Sequence, residues 1–341
     1  MKKSMRQVAA SAGVSPATVS RVVSGSTYVS AEIQDRVKKA ALKLGVDLHP
    51  KRKSSIIAFL LSNRNILHPY HSRVLAGASA YCTEQGYDMV FLTFHYQMNL
   101  PAKKIHPPQI LERGSLCRGA ILAGTNSDGF LTLLSARGFH FSVLGNNVVG
   151  DWRSDPYDVV WSDDFYGATY ITRYLQSLGH RDIWFVGDCD LPWFARCAEG
   201  YRIAMSDAGL PPRVSGIHSE SPREVGYLTA KSILAQREPV SAFFAGTDEV
   251  AMGIYDALGE VGLRVPSDIS VVGVSDIEAG MLHPALTTVR EFPEQVGRYL
   301  AEMVITRINA TEQLAPQEFT VPTQLIKRDS CMVLSVPVEV S

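Results

Sequence analysis

Apolar residues recur at helical spacing in two short segments at the start of the chain. The first segment begins near Ser4, whose spacing to Gln7 is that of a capping box, and ends at Gly13, which suits the left-handed position after a helix. The second segment begins with Ser15 as its N-cap and Pro16 at the first helical position. The pattern predicts a helix-turn-helix whose inward-facing residues are Val8, Ala9, Ala12, Val19, Val22 and Val23.

A third capped segment covers residues 30–44 and repeats apolar positions at helical spacing. It can pack over the first two helices, so the three segments together predict one small all-α domain. The spacing alone also fits an ordinary three-helix bundle with solvated serines. The residues left on the outer surface of the second helix are Pro16, Ala17, Thr18, Ser20 and Arg21.

Beyond residue 54, short apolar runs alternate with helical patterns. This alternation is typical of parallel sheets with helices on both faces, arranged either as one large sheet or as two similar lobes. The predicted fold class is therefore an all-α head followed by an α/β body. The predicted strands are Ile56–Leu61, Met89–Phe94, Ala120–Ala123, Phe141–Leu144, Val159–Trp161, Ile183–Val186, Ala242–Ala245 and Ile269–Val274.

With 341 residues, of which 46% are hydrophobic, the chain can bury more than one core, and we expect two or three domains. Its longest uninterrupted apolar run, Ile56–Leu61, is too short to cross a bilayer, and the first residues lack an apolar signal core. The five cysteines are scattered without metal-type pairs, which predicts reduced thiols. We therefore expect a cytoplasmic protein with no membrane partner and no cofactor.

Charge is distributed unevenly along the chain. Residues 1–53 contain eleven Lys or Arg and three acidic residues, a net charge of +8, so residues 54–341 carry −9 to give −1 overall. A basic head on an acidic body fits a head that binds nucleic-acid phosphates by itself. The charge therefore favours a DNA reader over an ordinary three-helix bundle.

The segment from Met5 to Gly25, together with Val29-Ser30, resembles the N-termini of the LacI (lactose/galactose repressor) family of bacterial transcription regulators. The turn, the caps and the core positions all agree with the family pattern. Further family landmarks follow in order along the body, so the resemblance covers nearly the whole chain. These landmarks are residues 162–167, 178–187, 245–253, 265–273 and 284–289.

The resemblance implies a periplasmic-binding-protein-like body, with two doubly wound lobes joined by three strand crossings and a small effector between the lobes. Family members usually act as homodimers, so we expect two heads to meet two half-sites of a double-stranded DNA operator. The implied division is a helix-turn-helix domain at 1–45, a short basic linker at 46–55, one lobe at 55–161 and 292–320, a second lobe at 162–291 and 321–332, and a tail at 333–341.

The resemblance also implies which residues contact DNA. Pro16, Ala17 and Arg21 take the family's base-reading positions, and the Arg21 guanidinium can donate two hydrogen bonds to one guanine. The residues interpreted as helix caps or phosphate donors are Ser4, Ser15, Thr18 and Ser20. The linker residues that either touch phosphates or are simply solvated are Lys51, Arg52 and Lys53.

The linker departs from the family pattern. Family members continue after the third helix into a longer linker with an Ala-Arg-x-Leu hinge helix, whose leucine inserts into the minor groove and kinks the DNA. Here residues 46–55 are all that separate Gly45 from the first predicted strand; Pro50 interrupts them, and they contain no Ala-Arg-x-Leu. We therefore expect no hinge helix and little bending of the DNA at its centre.

Two further departures lie in the implied effector site. The family's arginine clamp falls at Cys197, with Arg196 one residue earlier, a shift that turns the side chain by about 100° around a helix. Arg196 reaches the interlobe cleft if residues 191–195 form an irregular loop, and it is a surface arginine otherwise. The family's effector-binding aspartate is replaced by Ser275, and Asp276 follows it.

The remaining candidates for effector binding are aromatic and polar residues, and the resemblance places them in loops at the cleft rim. Aromatic faces suit stacking on a sugar ring, so the expected effector is a carbohydrate. The full set of candidate effector-binding residues is Tyr70, His71, Asn126, Asn146, Asp163, Trp193, Phe194, Arg196, Asp248, Ser275 and Asp276.

The sequence also bears on three alternatives to an effector-controlled repressor: an enzyme, a metal-binding protein and a constitutive regulator. An enzyme is disfavoured because the chain has no dinucleotide-binding fingerprint, phosphate loop or serine elbow, so no catalytic residue is assigned. The spacing of His68 and His71 lacks the further ligands that a metal site needs. A constitutive or partner-controlled regulator with a vestigial pocket fits the displaced clamp and the short linker, and it remains the alternative.

Overall fold

The structure is a computed structural model and describes residues 5–23, 28–46, 56–64, 68–112, 116–150, 157–215 and 217–334. The chain forms two compact units, one up to residue 55 and one from Ile56 onward, which we call the head and the body. The expectations for the linker, including the missing hinge helix, lie outside the described residues. So do the candidate DNA contacts Ser4, Lys51, Arg52 and Lys53.

Three helices form the head: α1 (Met5–Ala12), α2 (Pro16–Val23) and α3 (Ala31–Leu44). The turn between α1 and α2 contains Gly13 at a φ of 62°, the left-handed conformation that its sequence position predicts. Ser30 caps α3 by accepting a hydrogen bond from the Ile33 amide, and Gly45 ends that helix in the left-handed conformation. The fully buried core residues of the head are Val8, Val19 and Val37.

The body contains two six-stranded sheets, each of which forms one lobe. The first-lobe strands are β1 (Ile56–Ser62), β2 (Asp88–Phe94), β3 (Cys117–Leu122), β5 (His140–Leu144), β7 (Asp158–Ser162) and β13 (Glu318–Val321), and β4 (Asn126–Ser127) and β6 (Val148–Val149) pair beside them. The first sheet is parallel throughout, in the order β13-β7-β5-β3-β1-β2.

The second-lobe strands are β8 (Ile183–Val186), β9 (Arg213–Ser215), β10 (Ala242–Ala245), β11 (Ser270–Ser275), β12 (Thr287–Arg290) and β14 (Gln324–Ile326). Their order is β14-β12-β11-β10-β8-β9, and β14 alone runs antiparallel to its neighbour. All eight strands predicted from the sequence are confirmed, with ends that shift by up to three residues. The two doubly wound lobes confirm the predicted fold class.

Helices cover both faces of each sheet. The first lobe carries α4 (Pro69–Glu84), α5 (Gln109–Glu112), α6 (Asp128–Ala136) and α11 (Pro293–Asn309), and the second carries α7 (Asp164–Ser177), α8 (Pro192–Asp207), α9 (Pro222–Ala235) and α10 (Asp248–Glu260). Single 3-10 turns occur at Ala102–Lys104, Gly145–Asn147 and Ala279–Met281. Within the described residues, no helix combines the length and the apolar character needed to cross a membrane.

Strand β1 shows why these sheets are buried on both faces. Its residues Ile57 and Phe59 belong to the hydrophobic cluster that contains α4 and α11. The alternate residues Ala58 and Leu60 belong to the cluster on the other face, which contains α6. Because successive side chains of a strand point to opposite faces, a continuous apolar run is what a strand between two helical layers requires.

Glycines allow the closest helix pairs of the two lobes to approach. A Cβ on Gly297 of α11 would lie 1.9 Å from the carbonyl oxygen of Val74 on α4, which leaves no room for any side chain. In the second lobe, a Cβ on Gly253 of α10 would lie 1.9 Å from the carbonyl oxygen of Arg223 on α9. A second pair of this kind occurs in the same lobe, where a Cβ on Gly200 of α8 would lie 2.2 Å from the carbonyl oxygen of Phe165 on α7.

The chain crosses between the lobes at three places, each a few residues long. The crossings connect β7 to α7, β12 to α11 and β13 to β14. The first and third crossings are tied together, since the Asp163 amide donates to the Val321 carbonyl at 3.0 Å and the Thr323 hydroxyl donates to the Asp163 carbonyl at 3.0 Å. The three crossings therefore form the base that the two lobes share, which we call the floor.

Candidate functional sites

The first candidate site is the outer surface of α2 in the head. Pro16, Ala17, Ser20 and Arg21 are exposed, Thr18 is half-buried and Val19 faces the core, as the helical spacing predicts. The exposed side chains form one small surface with a single guanidinium. Such a surface is compatible with apolar contact to a base methyl group and with hydrogen bonds from Arg21.

Two side chains fix the turn that presents α2. Ser15 accepts a hydrogen bond from the Thr18 amide at 3.1 Å, and its hydroxyl lies 2.9 Å from the Thr18 hydroxyl. Both hydroxyls are therefore engaged in capping, which is one of the two roles predicted for them. From α3, Arg36 donates to the Ala12 carbonyl at 2.6 Å and so satisfies the end of α1. The helical pattern alone does not point to Arg36.

The second candidate site is a cavity between the two lobes, which we call the interlobe cavity. It contains about 690 Å³ of space free of protein atoms, including its open mouth. Its lining residues are Arg64, His68, Tyr70, His71, Asn146, Asn147, Asp164, Trp193, Phe194, Cys197, Pro222, Gly246, Thr247, Val274, Ser275 and Glu291.

The candidate effector residues divide into two groups. Those that line the interlobe cavity are Tyr70, His71, Asn146, Trp193, Phe194 and Ser275. Those that lie outside its lining are Asn126, Asp163, Arg196, Asp248 and Asp276. In the second group, Arg196, Asp248 and Asp276 have side chains that are bound to protein partners.

The aromatic residues of the cavity lie on helices, which corrects the expectation that they occupy loops. Tyr70 and His71 are in the first turn of α4, and Trp193 and Phe194 are in the first turn of α8. The physical reason is that each helix begins with a proline at its first position, where the missing amide hydrogen costs nothing and the fixed φ favours the helix.

Arg196 acts on the interlobe cavity only through Asp164. Because α8 already begins at Pro192, the preceding segment is not an irregular loop and the one-residue shift is not compensated. The Arg196 Nε donates to Asp164 Oδ1 at 2.9 Å, and its guanidinium stacks 4.1 Å from the centre of the Trp161 ring. At the family's clamp position, the buried thiol of Cys197 lines the cavity instead.

Asn146 connects the two lobes at the cavity floor. Its amide donates to the Ser162 carbonyl at 2.9 Å and to Asp164 Oδ2 at 2.7 Å, and its oxygen accepts from the Ser162 amide at 2.8 Å. Asp164 is thus held by a lobe-one amide on one side and a lobe-two guanidinium on the other. Burial raises the pKa of Asp164 in spite of these partners.

Glu291 lies in the second crossing, directly after β12, and was not singled out from the sequence. It is half-buried and lines the cavity. Burial, together with the nearby carboxyls of Asp164 and Asp248, raises the pKa of Glu291 to about 8. The cavity floor therefore offers a carboxyl group that is largely protonated at neutral pH.

Asp248 and Asp276 support the loop that carries Ser275. Asp248 accepts hydrogen bonds from the Ser275 hydroxyl at 3.1 Å and the Thr288 hydroxyl at 3.0 Å, and from the backbone amides of residues 277–279. Asp276 forms ion pairs with Arg290 at 2.6 Å and Arg328 at 2.7 Å. Both carboxylates are occupied by the protein, so they position Ser275 instead of reaching the cavity.

Asn126 and Asp163 are also positioned by the protein itself. Asn126 is buried in the short strand β4, where its amide donates to the Gly124 carbonyl at 2.8 Å. Asp163 directly precedes α7 in the first crossing, and burial raises the pKa of its carboxyl. Neither residue lines the interlobe cavity.

Two histidines from the start of α4 have separate partners. His68 Nε2 lies 3.0 Å from Glu249 Oε1 of the second lobe, and this hydrogen bond lowers the pKa of Glu249. His71 Nε2 lies 2.9 Å from the Asn147 amide nitrogen, which also donates to the Ala123 carbonyl. Asn147 is therefore the donor, so His71 is a neutral acceptor at Nε2, in agreement with the burial that lowers its pKa well below its usual value.

At the mouth of the cavity, Arg64 stacks on an aromatic ring of the other lobe. Its guanidinium lies 4.2 Å from the centre of the Trp193 ring. Burial lowers the pKa of Arg64 to about 10, and Glu249 partly offsets this effect. Arg64 follows the end of β1 by two residues. It is not among the site residues predicted from the sequence.

Three buried polar atoms of the cavity lining have no hydrogen-bond partner within the described part of the chain: Arg64 Nε, Tyr70 Oη and His71 Nδ1. Buried polar atoms are nearly always hydrogen-bonded in folded proteins, since leaving one unpaired costs about 1–3 kcal/mol. The three residues that carry these atoms all line one cavity, which favours a polar ligand there.

Sequence and structure comparisons agree with this architecture. Residues 4–46 match the family of bacterial regulatory proteins of the lacI type, and residues 172–331 match the periplasmic-binding-protein-like domain. The HTH-type transcriptional repressor PurR of Edwardsiella ictaluri (strain 93-146) is 30% identical over 346 residues, covering 96% of each chain. The chain belongs to the LacI family of bacterial transcriptional regulators.

Solved structures in this family share the fold. The transcriptional regulator CelR in complex with cellobiose aligns at a TM-score of 0.70 and 27% identity, over 96% of this chain and 100% of that one. The lac repressor dimer bound to operator and the anti-inducer ONPF aligns at a TM-score of 0.76 and 20% identity, over 97% of this chain and 100% of that one. The head and the two-lobed body of this LacI-family chain therefore have the family's complete architecture.

Proposed function

We propose that this LacI-family chain is a repressor that binds one DNA sequence as a homodimer and is controlled by a carbohydrate effector in the interlobe cavity. The observation that carries the effector role is the convergence of the unpartnered Arg64, Tyr70 and His71 atoms on a cavity that also exposes the Trp193 ring. Hydroxyl-rich ligands supply the missing hydrogen-bond partners, and a sugar ring stacks on an aromatic face. The relative CelR was solved with cellobiose.

The DNA role rests on the exposed face of α2. Arg21 donates to a guanine, Pro16 and Ala17 contact base methyl groups, and Ser15, Thr18 and Ser20 set the register through caps and phosphate contacts. The candidate contacts outside the described residues, Ser4 and the linker's Lys51, Arg52 and Lys53, are assigned to phosphates. We place the protein in the cytoplasm, where its DNA partner is, and assign it no catalytic step.

Selection of bound fragments from a random DNA pool, with the purified full-length protein at physiological salt, tests this assignment. Enrichment of a palindromic site supports a homodimeric reader, and its half-site spacing reports how the short linker places the two heads. Salt-sensitive binding to all DNA without enrichment contradicts sequence-specific reading, because electrostatic attraction alone then explains the binding.

Arg21→Ala provides the residue-level test on the enriched site. Loss of a bidentate guanine contact is expected to cost about 1–3 kcal/mol per half-site and to relax preference at one base pair. Ser20→Ala is the matched control from the same face, for which a uniform loss on all sequences is expected. An equal loss on every sequence for Arg21→Ala assigns Arg21 to a phosphate and refutes its base-reading role.

The alternative, a constitutive regulator with a vestigial pocket, is favoured by one observation: Arg196 and Asp276 are both occupied by ion pairs within the protein. Thermal denaturation against a panel of neutral and charged sugars separates the two functions, since a ligand that binds the folded state raises its melting temperature. A ligand-specific increase that also changes operator affinity supports effector control. No increase with any sugar supports the constitutive regulator.

A further inference from the structure

Arg64 is half-buried, its Nε is buried without a hydrogen-bond partner, and the side chain forms no hydrogen bond and no ion pair within the described part of the chain. Other arginines near the cavity or the lobe floor are paired, for example Arg196 with Asp164 and Arg290 with Asp276. A guanidinium carries five donors in a planar fork that matches a carboxylate or a phosphate. Arg64 therefore has a donor array with no acceptor.

Glu249 is the acidic residue that acts on the pKa of Arg64, yet it does not pair with the guanidinium. Glu249 attracts Arg64 electrostatically, yet the Glu249 carboxylate is hydrogen-bonded to His68 Nε2 at 3.0 Å and forms no ion pair with Arg64. The ring of Trp193, at 4.2 Å, covers one face of the guanidinium and leaves its edges for hydrogen bonding. What is missing at the edges of Arg64 is an anionic acceptor.

Charge is asymmetric within the interlobe cavity. Arg64 and His68 lie together at one end with Glu249, whereas the other end contains Asp164 and Glu291 at the cavity floor. The Arg64 guanidinium attracts an anion more strongly than the floor does, so an asymmetric ligand has one favoured orientation. Glu291, at the floor, offers a hydrogen-bonding group that suits a hydroxyl, whereas the Asn146 amide is already bound to Ser162 and Asp164.

On the basis of the effector function proposed above, we propose that the effector is an anionic carbohydrate whose carboxylate or phosphate binds Arg64 and one of whose hydroxyl groups faces Glu291. The anion supplies the acceptor that the guanidinium lacks, and the pair is protected from solvent by Trp193. A neutral sugar leaves Arg64 unpaired and binds more weakly.

The test uses matched ligands on the full-length protein at constant ionic strength. For glucose, galactose and mannose, the neutral sugar, its uronate and its 6-phosphate are compared by thermal shift and calorimetry, with inorganic phosphate as a further probe. We expect at least one anionic probe to bind more tightly than its neutral parent. Whether the uronate or the 6-phosphate binds more tightly identifies the anionic group.

Variants assign the effect to Arg64. Arg64→Met removes the guanidinium and keeps an unbranched apolar side chain of shorter reach, and it is expected to weaken anion binding by about tenfold or more, the value of a charged hydrogen bond. Glu249→Gln removes the competing negative charge and is expected to strengthen anion binding severalfold. Arg213→Met is the matched control, since Arg213 stacks on Trp184 outside the cavity; it is expected to leave anion binding unchanged.

The outcomes separate this proposal from the proposed function. If no anionic probe affects wild type more than Arg64→Met, the proposal is wrong. If neutral sugars then bind and change operator affinity, effector control still stands and the cavity takes an uncharged carbohydrate. If no sugar of either kind binds, effector control by a carbohydrate fails as well.

Discussion

The half-buried carboxyl of Glu291 should make the stability of the body depend on pH in a way that one substitution removes. Its pKa is raised from 4.5 to about 8. The folded state therefore binds a proton more tightly than the unfolded chain does. This stabilising contribution is fully present below pH 4.5 and is lost as the pH rises through 8, because the folded state must then bury a charge.

The full shift corresponds to about 5 kcal/mol, taking about 1.4 kcal/mol for each pKa unit. Since the side chain faces an open cavity where water screens the charge, we expect about half of this, 2–3 kcal/mol. For a body of this size, the difference amounts to about 4–8 °C in melting temperature. Glu291→Gln mimics the protonated carboxyl at every pH, so it should not show this loss.

The assay is thermal unfolding of wild type and Glu291→Gln at pH 5 and pH 9, scored as the difference between the two proteins at each pH. Titration of other groups affects both proteins alike and cancels in this difference. Relative to wild type, Glu291→Gln should gain stability between pH 5 and pH 9. Glu294→Gln, an exposed neighbour on α11, is the control that should parallel wild type. Parallel pH profiles for Glu291→Gln and wild type would refute the argument.

Two further predictions concern the packing of the lobes. Gly297→Ala places a methyl group against the Val74 carbonyl and should destabilise the first lobe by about 1–3 kcal/mol in thermal unfolding, whereas Gly259→Ala, an exposed helical glycine with open space around it, should stabilise by about 0.5–1 kcal/mol. Arg307→Met should cost about 3–5 kcal/mol because it leaves the buried Asp158 carboxylate unpaired, and adding Asp158→Asn should recover part of that loss. Equal effects of the two alanine variants, or no recovery in the double variant, would contradict these assignments.

The sequence predicted the longer and mainly apolar strands and missed strands that are very short or carry mostly polar side chains. Strand β12 contains Thr287 and Thr288, which are both fully buried. Their hydroxyls are satisfied by tertiary partners, the Arg328 carbonyl at 3.2 Å and Asp248 Oδ1 at 3.0 Å. A pattern of hydrophobicity cannot anticipate partners that are about 40 residues away in the chain.

The head could be predicted more completely than the interlobe cavity for the same reason. Its caps and turn, such as Ser15 with Thr18, are interactions between residues three apart and can be read directly from the sequence. The cavity is assembled from both lobes and the crossings, so Arg64 and Glu291 gain their roles only from distant neighbours. One signal was available, because both follow the carboxyl end of a strand, where parallel sheets form their sites.

The position of the three crossings has a mechanical consequence. If the lobes rotate about their shared floor, contacts near that pivot, such as Asn146 with Asp164, change least in length. Contacts at the mouth are farthest from the pivot, so their lengths change most. These contacts are His68 with Glu249 at 3.0 Å and Arg64 with Trp193 at 4.2 Å. The mouth contacts therefore break first when the lobes open. A ligand that bridges Arg64 and the floor binds only the arrangement in which these contacts are intact, so its binding fixes the angle between the lobes.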